Sequence, residues 1–404
     1  MKNGQQSSRE VLEVLKKAAY FSIFSVPDPE QLSQGVPLIP FGNLLYKISI
    51  IESPRRHQIT VAPPSPSYGF ITKMIGSEQR IARQKLTLEV MPNNFEAGYG
   101  RKPPPTLLLP FLSQRFYMSQ GEFDFLDPES SGFRAHAVGR FFPASSNGKI
   151  YLRIGSIVEI LQYLGRLQGV VGNLVVNGYT TPPQIFANNF IIRFIDTAGK
   201  LSSDQPIPPV ERPSANPEPD IGFIPLMTEL HPDHPIVVEP AEGKKKRFRL
   251  VEVVRLVDTA FDVTPTLRSR TVPREVVGER TTTLVFDPDD PNEVIPLYSM
   301  NSEFRFFANG QRIGSVKVDL FEGRLFRTRL PELQQPFFRI TGYGPFIEGT
   351  GQFEQTVGMV SINGALSLNP GALTAMYMLR MADPLGRFRS PWQQTVNRRL
   401  AAGG

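Results

Sequence analysis

The chain has no cysteine among its 404 residues, which excludes disulfide staples, thiolate nucleophiles and cysteine-ligated zinc or iron–sulfur centres. It also lacks any apolar run of the roughly 18 residues that a membrane-crossing helix needs. Near the N-terminus, Arg9, Glu10, Glu13, Lys16 and Lys17 interrupt the apolar core that a secretory leader would require. These absences favour a cytoplasmic location. No glycine-rich phosphate loop follows a strand pattern and opens a helix, no nucleophile elbow occurs, and no serine stands at readable spacing from a histidine. Nucleotide-dependent and hydrolytic chemistry are not expected, and neither a cofactor nor a metal is implied.

Proline and glycine are abundant instead, at 38 and 33 residues. They punctuate a chain into short strands and turns, so the expected class is all-β. The hydrophobic share of 40% suits soluble globular cores, and the length allows two of them. A formal charge of +6 is dispersed except at Lys244-Lys245-Lys246-Arg247, followed by Arg249. That run reads as a solvated segment entering a strand, with contact to an anionic surface as the sharper alternative. Without aromatic residues interleaved in it, no nucleic-acid partner is expected.

The sequence matches itself at long range. Tyr151-Leu152-Arg153-Ile154 aligns with Phe337-Phe338-Arg339-Ile340 at a shift of 186 residues. The same shift sets Gly165 on Gly351, Gly172 on Gly358 and Asn177-Gly178 on Asn363-Gly364. At one residue more, Arg193, Asp196 and Gly199 fall on Arg380, Asp383 and Gly386. A period this long implies two duplicated domains and not a solenoid. The expected division is an N-terminal domain over 1–205, a proline-rich linker over 206–220 and a C-terminal domain over 221–404.

Ser7 and Glu10 have capping-box spacing, and Val11, Leu12, Leu15, Ala18 and Ala19 recur on one helical face, predicting a short amphipathic helix that Pro27 and Pro29 end. Strand candidates follow at Leu44–Ile51, His57–Val61 and Leu86–Val90, the last with its counterpart at Thr281–Phe286. Tyr117 to Phe125 matches Tyr298 to Phe306, with Phe123, Phe125, Phe304 and Phe306 each on one side of their strands. Asn309-Gly310 predicts a type I′ hairpin. Asn177-Gly178 and Asn363-Gly364 read as turns as well.

Seven or eight short strands per half avoid exposed edges most simply by closing into barrels. The predicted architecture is therefore two tandem closed antiparallel β-barrels with a short N-terminal helix. Gly349-Thr350-Gly351-Gln352-Phe353 with Gly358 resembles the G-G-[ST]-G-x-F-x-x-x-x-G stretch of the dirigent and allene oxide cyclase superfamily of calycin-type barrels, with Glu348 at the first glycine. The first half keeps less of it, as Tyr163-Leu164-Gly165-Arg166-Leu167. The resemblance implies a lumen that folds a hydrophobic small-molecule substrate for cyclisation or isomerisation without a cofactor, mostly by orientation; a non-catalytic carrier of a hydrophobic ligand and a structural or assembly protein with closed barrels are the alternatives. It also implies a homo-oligomer, an assembly that two barrels in one chain would alter.

Candidate chemistry rests on few groups. Tyr117 with Glu122, and Tyr298 with Glu303, could act as acid and base at a barrel mouth, or stand as a wall tyrosine and a solvated glutamate. Arg153 and Arg339 either lie outside and pair with a carboxylate or point inward to an anionic substrate head. His136, between Ala135 and Ala137, has no counterpart in the second half. His231 and His234 read as a surface turn, because Pro232 and Pro235 break the helix on which a metal pair converges.

Overall fold

The computed structural model describes residues 6–27, 67–74, 80–90, 114–146, 149–180, 187–203, 207, 221–262, 267–320, 322–383 and 388. The candidates at Leu44–Ile51 and His57–Val61, and nearly all of the proline-rich stretch, lie outside these residues. Helix α1 (Ser8–Lys16) forms the expected capping box: Ser7 Oγ accepts from Glu10 N, and Glu10 accepts from Ser7 N. The helix stops before Ala18 instead of running on to Pro27. Ala18 opens a strand in which Ala19 and Phe21 face a core, and that burial outweighs the helical preference of two alanines.

Eight strands pair antiparallel in chain order and close a barrel: β1 (Ala18–Pro27), β2 (Ser67–Met74), β3 (Arg80–Val90), β4 (Gln114–Phe125), β5 (Gly132–Ser146), β6 (Lys149–Leu164), β7 (Val171–Thr180) and β8 (Ala187–Ile195). The second half builds an eleven-stranded sheet from β9 (Ile221–Leu230), β10 (Val237–Pro240), β11 (Lys246–Asp262), β12 (Arg268–Phe286), β13 (Val294–Pro296), β14 (Ser299–Ala308), β15 (Gln311–Asp319), β16 (Glu322–Thr328), β17 (Phe337–Gly351), β18 (Gly358–Leu368) and β19 (Gly371–Ala382). Its pairings run β9-β11-β12-β14-β15-β17-β18-β19 and return from β19 to β9, which traces a second ring. Where the first barrel uses the single strand β5, the second uses β15 and then β16. Accordingly β17 pairs with β16 and β18 along its first part and with β15 along its last.

Glycine is required where β6 and β17 end. Gly165 and Gly351 take φ of +56° and +60° as the chain turns back, and a Cβ on Gly351 would lie 2.3 Å from the Ile313 carbonyl oxygen. Asn309 and Gly310 both take positive φ, giving the expected hairpin between β14 and β15. After β8, Asp196 accepts from Lys200 N (2.8 Å), Leu201 N (2.7 Å) and Ser202 N (2.8 Å), turning Leu201 into the first barrel's core. After β19, Asp383 accepts from Phe388 N at 2.6 Å, and Phe388 stacks on Phe353 at the end of the second barrel. The matched aspartates thus each seat a plug. Leu267, just before β12, also reaches into the first barrel's core.

The barrels meet along the outer faces of β6 to β8 and β17 to β19, joined by apolar contacts among Tyr20, Ile157, Val175, Tyr179, Ile191, Phe223, Tyr343, Met359, Met376 and Met378. Asn177 and Asn363, expected in turns, lie fully buried in β7 and β18 on this seam. Asn177 donates to Met359 O and Met378 O at 3.1 Å. Asn363 donates to Asn173 O (2.8 Å) and Ile191 O (3.1 Å), the carbonyls at the matched positions. Arg153 donates to Gly358 O at 2.8 Å, and Arg339 returns the contact to Gly172 O at 2.5 Å. A face buried on both sides has lost the in–out alternation by which a strand is read, which is why the dipeptide was misread. Asn177→Ala and Asn363→Ala are each expected to cost about 1–3 kcal/mol, since each removes two buried hydrogen bonds across the seam. Denaturant unfolding of both variants checks that the losses are similar.

Candidate functional site

The predicted site residues with described side chains face away from the two lumens. On β4, Phe123 and Phe125 are buried in the core, and Glu122 lies on the opposite face. Tyr117 pairs in register with Glu89 and Val138, and its side chain lies outside the described residues. His136 also faces out, with Nε2 2.8 Å from Glu159 Oε2 on β6, while Ala135 and Ala137 turn into the core. Tyr298 is 53% exposed, with Lys245 Nζ 4.4 Å above its ring. Arg153 and Arg339 point out of their barrels and hold carbonyls across the seam.

Glu303 binds Arg305 at 2.8 Å and Arg312 at 3.6 Å on the outer face of β14. The hydrogen bond from Arg305 is the main cause that holds its carboxyl below the ordinary glutamate value. Because the folded pKa is depressed, the stabilisation is present above the unfolded pKa and is lost as pH falls through the lowered value. A carboxyl titration followed by NMR should place Glu303 below ordinary glutamates, and Arg305→Ala should move it upward.

The remaining motifs are accounted for by surface chemistry. His231 and His234 sit in the turn after β9, with ring centroids 4.7 Å apart. The basic run begins β11, and its charges meet acids: Lys245 with Glu242, Lys246 with Asp289, and Arg247 and Arg249 with Glu239.

The polar groups that do enter a lumen are ones the sequence reading passed over. In the second barrel, Glu252 alternates in phase with Leu250 and Val254 on β11, and Arg280 with Thr282 and Leu284 on β12. Arg280 donates to Glu252 at 2.7 Å, to Ser302 at 2.6 Å and to the Tyr377 hydroxyl. Glu252 also accepts from Thr282 (2.8 Å) and Thr228 (2.6 Å). The guanidinium lies 4.2 Å from the Tyr377 ring centroid and 5.0 Å from that of Phe304. Burial pushes the Tyr377 phenol well above its ordinary value, so it stays a proton donor.

The readable signal was a carboxylate in phase with an apolar strand face. In the first barrel, registers place Gln84 opposite Phe123 as Arg280 stands opposite Phe304, so at this position a neutral amide stands where the second barrel has a charge. Three hydrogen bonds already occupy most of the lone-pair sites of the Glu252 carboxylate, two on Oε1 and one on Oε2. Arg280→Met alone should cost about 3–5 kcal/mol by stranding a buried carboxylate, while adding Glu252→Leu should restore most of it. Denaturant midpoints of the two variants measure the difference.

No family model and no curated protein matches the chain. Among solved structures, it is similar to the pterocarpan synthase dirigent protein PsPTS1 at 11% identity, over 40% of this chain and 95% of that one, with a TM-score of 0.26. It is also similar to a mutant of the vaccine antigen transferrin binding protein B from Haemophilus parasuis Hp5, at 8% identity over 94% and 98% of the two chains, with a TM-score of 0.12. Likenesses this slight say nothing about what the chain does. What stands on the structure itself is an all-β architecture with a closed eight-stranded barrel, a second ring of strands and, among the described residues, one short α-helix, which is not long and apolar enough to cross a membrane.

Proposed function

We propose that the chain is a non-catalytic structural or assembly protein, a double barrel of two domains at 1–205 and 221–404 that presents its outer surfaces to partners. The observation that carries this reading is aromatic contact across the lumens. Phe21 of β1 meets Phe125 of β4 with ring centroids 5.6 Å apart, and Phe133 of β5 meets Phe194 of β8 at 6.5 Å. Phe304 of β14 meets Tyr377 of β19 at 5.4 Å, and Phe286 of β12 meets Phe338 of β17 at 5.6 Å. Rings that touch across a barrel occupy the volume of about 300–1,000 Å³ that a ligand pocket needs. Exposed Val237 and Val238 on β10, and Val272 and Val276 on β12, offer apolar points for contact.

A second reading is a cofactor-independent cyclase or isomerase of the dirigent and allene oxide cyclase kind, acting on a polyene, polyketide or lipid-like substrate. The inward Glu252, Arg280 and Tyr377 favour it, because ionisable groups converging in an apolar lumen are what such a site needs. Native mass spectrometry of the full chain, with titration of an apolar fluorescent probe, separates the two. The protein mass alone and no saturable probe uptake are expected. Stoichiometric recovery of an apolar ligand would overturn the structural reading in favour of the second.

A further inference from the structure

The seam between the barrels is reciprocal at Asn177 and Asn363 and at Arg153 and Arg339, and it breaks that symmetry at Asn173. At the position matching Met359, the first half carries Asn173, which is 1% exposed, and neither polar atom of its side chain has a hydrogen-bond partner. Its register partner across β7 and β8 is Arg193, so the two side chains stand on one face with Cβ atoms about 4.5–5.5 Å apart. Arg193 is completely buried, and its Nη1 also lacks a partner. The other nitrogens of that guanidinium are held. Nε donates to Tyr20 OH at 2.9 Å, and Nη2 to Leu15 O in the last turn of α1 at 2.7 Å.

Arg339 arrives at the same place from the second barrel. It donates to Gly172 O, one residue before Asn173, and to Thr328 Oγ1 at 2.9 Å. Burial is the main cause that pushes its pKa down and the nearby charge of Arg193 adds to it, while Tyr163 and Glu159 act in the opposite direction. The hydrogen bonds that hold these two guanidiniums all end on neutral oxygens. The neighbouring Glu159 is engaged by His136 at 2.8 Å. Tyr163, bonded to both N and O of Gly172, is kept neutral by burial, which raises its pKa. The C-terminal dipole of α1 offsets the Arg193 charge only in part.

We propose that a small inorganic anion of halide size binds between the barrels, accepting from Arg193 Nη1 and Asn173 Nδ2 and neutralising the Arg193–Arg339 pair. A water molecule could satisfy the two donors but would bring no negative charge to the two buried guanidiniums. The matched place in the second half has no such site, because Met359 fills it and Arg380 donates to Asn177 O at 2.5 Å. The seam therefore holds one anion, at a point where β7, β8, α1 and β17 meet.

Crystals of the full chain soaked in sodium bromide should show one anomalous peak within hydrogen-bond reach of Arg193 Nη1 and Asn173 Nδ2. In solution, Tm at constant ionic strength should be about 2–4 °C higher in chloride or bromide than in gluconate. Asn173→Met, which installs the residue of the matched position, should abolish both effects, and Asn173→Ala repeats the test should methionine overpack the seam. Ordered water without an anomalous signal would overturn the proposal. So would a peak with equal Tm in the three salts, which marks binding at crystal concentration only.

Discussion

Two carboxamides fix how the halves of this protein meet. Apolar surface alone would hold the barrels together without choosing a register, because burial of methionine and valine is non-directional. The amides of Asn177 and Asn363 are directional, and the nitrogen of each donates to two carbonyls on neighbouring strands of the other half. Sliding by one residue would break four hydrogen bonds in a dry interface. Arg153 and Arg339 repeat the same logic on the flank of the seam. The remaining contacts can then be greasy and tolerant, as Met359, Met376 and Met378 are.

The seam also explains an asymmetry. Ala365 stands where Tyr179 stands in the first half, and the space it leaves takes the apolar face of α1, with Val11 and Leu15 packed near Phe337 and Ala372. Arg193 consequently reaches the helix C-terminus, whereas its match Arg380 reaches strand backbone. One helix is enough to make two similar faces chemically different.

The fold was legible where local chemistry decides it. The capping box at Ser7 and Glu10, the Asn309-Gly310 hairpin and the positive φ of Gly165 and Gly351 depend on nearest neighbours, and they form as the residues imply. The same Asn-Gly dipeptide at 177 and 363 lies in mid-strand, because what decides it is a partner surface far away in sequence. Along β18, ten consecutive residues from Gly358 to Ser367 are buried, so hydrophobic alternation carries no sign of which face is lumen. Sides were also hard to assign at the candidate site. Tyr298 and Glu303 match Tyr117 and Glu122 in order, but matching order does not say which way a strand faces. Glu252 was visible in phase with Leu250 and Val254, and it needed Arg280 and Tyr377, brought by topology, to become a cluster.

The plugs have a consequence for the order in which the chain is completed. Leu201 follows the last strand of the first barrel at once, but Leu267 in the same core is supplied by residues made 66 positions later. A chain that leaves the ribosome N-terminus first therefore holds a first barrel with an incomplete core until β11 has been synthesised. Its final packing waits on the second half. The last-made part of the first core thus comes from the chain of the second half.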